Sequence, residues 1–229
     1  MAREIFGLAR IFLRDHRDLR AMIRSNARLK CRIDHRRGLT DAEQMPVTKP
    51  RPLTKFDYWQ LPETRPRYQL INGELYMAPA PNRFHQDISR TIEFEILKYL
   101  EREPRGIIYN APFDVVLTDL NVFQPDLAFF SQERRNVLTD KGAEGAPDLV
   151  IEILSASTAR LDIDQKRVVY ARTGVSELWI VDPDNFEIQV FDLRVDPDLP
   201  AVTLRQNDLL RSRFLPGFEL PVSTVFQRF

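Results

Sequence analysis

A single cysteine, Cys31, stands among the 229 residues. One thiol excludes an internal disulfide and is too few for a cysteine-rich zinc centre. Such usage points to a reducing compartment, and so to a cytoplasmic protein. Long apolar runs are missing too. No stretch approaches the roughly 18 consecutive apolar residues of a membrane-crossing helix, which argues against integral membrane contact. The N-terminal segment has no continuous apolar stretch of the kind a secretory signal needs. No internal repeat is visible, and the formal net charge is zero.

That zero conceals an asymmetry. Residues Met1 to Arg37 carry 11 Lys+Arg against 4 Asp+Glu, a surplus of seven that the remainder must balance with seven net negative charges. A basic arm on an acidic body suits contact with a polyanion, either nucleic acid or an anionic membrane surface. Ile5, Leu8, Ala9, Ile11, Phe12, Leu19, Met22 and Ile23 recur at helical spacing, with arginines on the other face. The arm reads either as a surface-docked extension or as a DNA-binding arm. A polar, proline-rich linker follows to Pro52, so the sequence divides into a basic extension over 1–52 and a compact domain over 53–229.

A hydrophobic content of 43% supports a real core in that domain. Thr54 is placed to cap a short helix that ends before Pro62. Tyr68 to Met77 alternates around Asn72-Gly73, the strongest local signal for a two-residue β-hairpin turn. Ile88, Ile92, Ile96, Leu97 and Leu100 form a stripe that predicts an amphipathic helix from His85 to Glu101. Strands are predicted over Ile107–Leu117 and Phe123–Phe130, then a charged loop or short helix to Ala146. Leu149 to Leu154 is an apolar run opened by Pro147 and broken only by Glu152, which reads as a fully buried strand. Ser157-Thr158 introduces a helix through Arg172 that Gly174 stops. Strands over Val175–Val181 and Phe186–Leu193 come next. The order implies an α/β fold, a mixed sheet covered by helices on both faces.

A carboxylate inside a buried strand should be expelled by its desolvation cost unless a cation or donor meets it. Asp126, at the mouth of the Phe123–Phe130 run, is a second carboxylate of this kind. Two such groups on neighbouring strands suit a divalent metal. Taken singly, Asp126 reads as a turn aspartate and Glu152 as a carboxylate hydrogen-bonded to backbone donors. Glu74 after the hairpin turn is an accessory acid or a solvated glutamate. His85 at a helix start binds phosphate, orients water or caps the helix. Asp148 reads as a turn residue, Trp179 as core, and Tyr170 as packing rather than chemistry.

Several ordered blocks resemble the PD-(D/E)XK nuclease superfamily, and within it the Uma-two family of restriction-endonuclease-like proteins. They are Tyr68–Leu75, His85, Gln124-Pro125-Asp126-Leu127, Pro147–Ser155, Asp164-Gln165-Lys166, Tyr170 and Gly174–Pro183. The resemblance covers about residues 54 to 195. It implies a restriction-endonuclease-like mixed β-sheet flanked by helices, with the β-hairpin and the basic extension ahead of it. It implies hydrolysis of DNA phosphodiesters with Mg²⁺ or Mn²⁺ held by Asp126 and Glu152, with the Ile153 carbonyl a further inferred ligand. Related nucleases often cut as dimers, so a homodimer is expected. The superfamily places a lysine two residues after the glutamate; Leu154 stands there, and Lys166 in the following helix is the replacement. Gln69 occupies a position where the family usually shows glutamate. The competing readings are a module of the same fold that binds nucleic acid without turnover, and an interaction protein whose basic arm docks to a partner.

Overall fold

The computed structural model describes residues 51–61, 67–78, 80–155 and 160–227. The predicted basic helix, most of the linker and the capping pair Ser157-Thr158 lie outside them. Helix α1 (Lys55–Tyr58) is a single turn, and the Asp57 carboxylate accepts from the Thr54 N–H and hydroxyl, both at 2.8 Å. Strands β1 (Arg67–Ile71) and β2 (Glu74–Ala78) then form the predicted hairpin. Its turn residues Asn72 and Gly73 have φ of 51° and 80°. That left-handed pair matches the strand twist, and a Cβ on Gly73 would run into Pro52.

Helix α2 (Arg83–Arg102) is capped by the Asn82 side chain, which accepts from the His85 N–H. Ile88, Ile92 and Ile96 are fully buried and Leu100 packs against the core, as predicted, but Leu97 is 48% exposed and Tyr99 is buried in addition. Each residue turns about 100° around the helix axis, so Leu97 sits a quarter-turn and more beyond Ile96.

Two predicted strands are each broken in two. Ile107–Leu117 becomes β3 (Gly106–Asn110) and β4 (Asp114–Thr118), which belong to different sheets. Phe123–Phe130 becomes β5 (Asn121–Phe123) and β6 (Leu127–Ser131), again in different sheets. A proline, Pro112 or Pro125, stands at each break. Its missing N–H and fixed φ interrupt a ladder, while the apolar residues on either side make the run read as one strand.

A short 3₁₀ helix (Gln132–Val137) precedes the two-residue strands β7 (Leu138–Thr139) and β8 (Gly142–Ala143). Strand β9 (Leu149–Ile153) leads to α3 (Arg160–Thr173), and Gly174 at φ 97° ends that helix as expected. Strands β10 (Glu177–Asp182), β11 (Glu187–Asp192) and β12 (Val202–Leu204) follow. The chain closes with the hairpin β13 (Leu209–Ser212) and β14 (Leu215–Pro221) and the turn of helix α4 (Val222–Val225).

The main sheet has the order β12-β11-β10-β9-β6-β3, with β9 parallel to β10 and the other pairs antiparallel. This is the mixed α/β arrangement that the sequence implies. Leu127, Phe129, Leu149, Ile151, Ile153, Trp179 and Val181 point to one face, where Ile88, Ile92 and Ile96 of α2 cover them. Val150, Leu178 and Ile180 point to the other face, against Val169 and Tyr170 of α3. A second six-stranded sheet, β2-β1-β5-β4-β8-β7, shares the covering of that face, through Ile71 and Phe123 on one side and Val115 and Ala143 against Ala128 and Phe130 on the other. The predicted single sheet is therefore two.

The inward face of α2 sets a test. Ile92→Ala is expected to lower stability by about 2–5 kcal/mol, through lost burial and a residual cavity. Leu97→Ala should stay within about 0.5 kcal/mol. Urea midpoints at constant m measure both, and similar losses at the two positions would contradict the face assignment.

Candidate active site

Strands β6 and β9 pair antiparallel with Leu127 opposite Ile151 and Ala128 opposite Val150. Asp126 immediately precedes β6, and Glu152 is the next-to-last residue of β9, so the two carboxylates lie where this ladder ends. Protein donors meet Asp126 at one oxygen and Glu152 mainly at one. Asp126 Oδ2 accepts from the Ile153 N–H at 2.7 Å and lies 3.2 Å from His85 Nε2. Glu152 Oε1 accepts from the Tyr170 hydroxyl at 2.6 Å and from Lys166 Nζ at 3.1 Å. Lys166 reaches Glu152 Oε2 only at 3.4 Å.

Two helices thus deliver partners to the carboxylates, an imidazole from α2 and an ammonium from α3. His85 comes from the first turn of α2, and Lys166 from the middle of α3. Glu152, Lys166 and His85 are all buried, at 6%, 5% and 8% exposure. Burial pushes the Glu152 pKa up; the Lys166 charge opposes this, the Asp126 charge adds to it, and the hydrogen bonds from Tyr170 and Lys166 pull it down. The net direction is up. For His85, burial disfavours the imidazolium, yet the hydrogen bond and charge of Asp126, the Ile153 backbone and the Glu152 charge outweigh it. Its pKa lies above the ordinary 6.5. His85 Nδ1 is buried without a hydrogen-bond partner among the described residues.

The approach to Asp126 is fixed from the second sheet. The buried Gln69 side chain on β1 accepts from the Gln124 N–H at 3.1 Å. The Gln124 amide donates to Asp114 Oδ1 at 2.7 Å, and Tyr58 donates to the same oxygen at 3.0 Å. Gln69, where the family usually shows glutamate, holds the Gln124-Pro125-Asp126 crossover.

The predicted residues do not all converge. Asp126, Glu152, Lys166 and His85 come together. Glu74 does not: it is exposed on β2, accepts from the Tyr76 hydroxyl at 3.1 Å, and none of the hydrogen bonds at the carboxylate pair reaches it. Leu154, in the usual lysine position, packs into the apolar cluster beneath α3. Asp148 is no simple turn residue. It is buried, accepts from the Ser131 N–H at 2.8 Å, and pairs with Arg134 Nε at 2.9 Å. Tyr170, read as packing, holds Glu152 directly. The available signal was the four-residue spacing of Lys166 and Tyr170, which puts both on one helix face.

Among the described residues, no group of three or more His, Cys, Asp and Glu side chains is arranged to hold a metal ion. The donor set still fits a hard divalent cation. Asp126 Oδ1 receives no hydrogen bond among the described residues, and Glu152 Oε2 only the long one from Lys166. Two carboxylate oxygens, completed by main-chain, water and phosphate oxygens, are the ligands Mg²⁺ accepts.

A mixed sheet with a carboxylate pair and a buried lysine at one end is the architecture of a restriction-endonuclease-like protein. The chain belongs to the Uma2 family, described as "Putative restriction endonuclease", whose model matches residues 56–223. A crystal structure of a protein from Anabaena variabilis, described as "a putative nuclease belonging to DUF820", matches with a TM-score of 0.66. The two are 21% identical, and the match covers 76% of this chain and 98% of that one. At that identity the likeness establishes the fold. No curated protein matches. No helix among the described residues is long and apolar enough to cross a membrane.

The His85–Asp126 pairing predicts a pH dependence. The folded pKa of His85 is raised above its unfolded value, so the stability it contributes is fully present below pH 6.5 and is lost as pH rises through the folded value. In chelator, the gap in urea midpoint between wild type and His85→Gln should be wide below pH 6.5 and narrow well above it. A gap independent of pH would contradict an imidazolium at this position.

Proposed function

We propose that this protein is a divalent-metal-dependent endonuclease that hydrolyses phosphodiester bonds of DNA. The observation that carries the reading is that Asp126 and Glu152 lie together at the end of the β6–β9 ladder, where, among the described residues, Asp126 Oδ1 accepts no hydrogen bond and Glu152 Oε2 only the long one from Lys166. These two residues would hold Mg²⁺ or Mn²⁺, which in such sites polarises phosphoryl oxygens and lowers the pKa of bound water. The protein's own groups do the rest. The Ile153 N–H and His85 fix the orientation of Asp126. Tyr170 and Lys166 fix Glu152. The Lys166 ammonium also supplies fixed positive charge beside the place where phosphoryl charge develops, in a site largely closed to water.

A second reading keeps the fold and the nucleic acid but not the turnover. It is favoured by the two contacts of Lys166 with Glu152, at 3.1 and 3.4 Å, which engage the lysine in pairing rather than leaving it to a substrate.

Cleavage of supercoiled DNA by purified protein, with Mg²⁺ or Mn²⁺ and with chelator, separates the two. Wild type is expected to nick only with metal. Asp126→Asn and Glu152→Gln remove charge but little volume, and should abolish cleavage in a folded protein. Lys166→Ala should cost about 10²-fold in turnover, the scale of one lost electrostatic donor. Equal nicking by wild type and Glu152→Gln would end the catalytic claim. An inactive wild type that binds DNA with a steep salt dependence would establish the second reading, because phosphate contacts release counterions.

A further inference from the structure

Tyr170 has no exposed surface. Phenylalanine would satisfy burial alone just as well. The hydroxyl, however, makes the shortest contact to Glu152, at 2.6 Å to Oε1. Lys166, one helical turn earlier, gives its ammonium to the same oxygen at 3.1 Å. Phe123 supports both groups: the Tyr170 ring meets it edge-on with centroids 5.3 Å apart, and the ammonium lies 5.9 Å from its centroid. An ammonium on a flexible stem is a point charge without a preferred direction, and by itself leaves a carboxylate free to turn. A phenol on a buried ring is directional. It pins Oε1 and leaves Oε2 as the oxygen available to a cation shared with Asp126.

We infer that Tyr170 is a positioning residue, whose hydroxyl holds Glu152 so that Oε2 is presented to a divalent ion. The inference rests on the nuclease reading and deepens it. Groups that orient a metal ligand from behind change metal affinity or activity about 10–100-fold when removed. A packing residue does not.

The test compares wild type, Tyr170→Phe, Glu152→Gln and Val169→Ala. Val169→Ala trims the buried neighbour of Tyr170 in α3 and touches neither carboxylate. Mn²⁺ affinity is measured by electron paramagnetic resonance and stability by urea unfolding. The ¹³C resonance of the Glu152 carboxyl is followed in metal-free protein, assigned by its absence in Glu152→Gln. Tyr170→Phe is expected to weaken Mn²⁺ binding about tenfold and to move the Glu152 resonance. Val169→Ala should lose stability while Mn²⁺ affinity and the resonance stay put. Tyr170→Phe with unchanged affinity and an unmoved resonance would overturn the inference, as would a Val169→Ala effect on Mn²⁺ binding equal to that of Tyr170→Phe. Wild type that takes up no Mn²⁺ would sink the nuclease reading, and the resonance alone would then decide Tyr170: moved, the hydroxyl positions Glu152; unmoved, it does not.

Discussion

Two carboxylates placed together at the end of a strand pair repel, and burial of one of them multiplies the cost. At a separation near 4 Å, a pair of unit charges is worth about 4 kcal/mol at the effective dielectric of a protein surface, and more inside. Asp126 and Glu152 are tolerated because each is met by a side chain from a covering helix, Glu152 by the Lys166 ammonium and Asp126 by the His85 imidazole. The two covering helices are therefore joined to the sheet by these polar contacts as well as by isoleucine and valine packing. Loss of one partner from a buried pair leaves an uncompensated charge, at a cost of about 3–5 kcal/mol.

That arrangement is also what makes the site chemically usable. Had Lys166 followed Glu152 by two residues, it would have shared the strand and the face with it. Leu154 fills that place and contributes to the core instead. The ammonium arrives from α3, on a separate piece of backbone, together with the Tyr170 hydroxyl. Strand and helix can thus adjust their approach without moving the carboxylate away from Asp126.

The elements legible in the sequence were those in which a local rule and the tertiary environment agree. Asn72-Gly73 has both the positive φ and the flanking alternation of a hairpin. Ile88, Ile92 and Ile96 repeat on one face of a long helix, and Leu149–Ile153 is apolar because both its faces are covered. Errors arose where an apolar run crosses from one sheet to another, because periodicity reports burial and not the partner strand. Leu97 shows the same blindness on a helix: it is apolar but stands outside the inward stripe. Tyr170 packs as read but also holds Glu152, and Asp148 pairs with Arg134; these partners are distant in sequence, and spacing along one element does not name them.

The break at Pro125 joins these two themes. Strand β6 begins only at Leu127, so its backbone ladder to β9 stops one residue short of Glu152. The N–H of Ile153, at the end of β9, then takes the Asp126 carboxylate rather than a main-chain carbonyl. A continuous strand through 123–130 would have fed that N–H from its own backbone and left the aspartate without a fixed direction. Gln69 and Gln124 hold the crossover open from the second sheet, with Asp114 and Tyr58 behind them. The carboxylate is thus aimed by the interruption itself. The feature hardest to see in the sequence, a strand that is really two, is the one that builds the site.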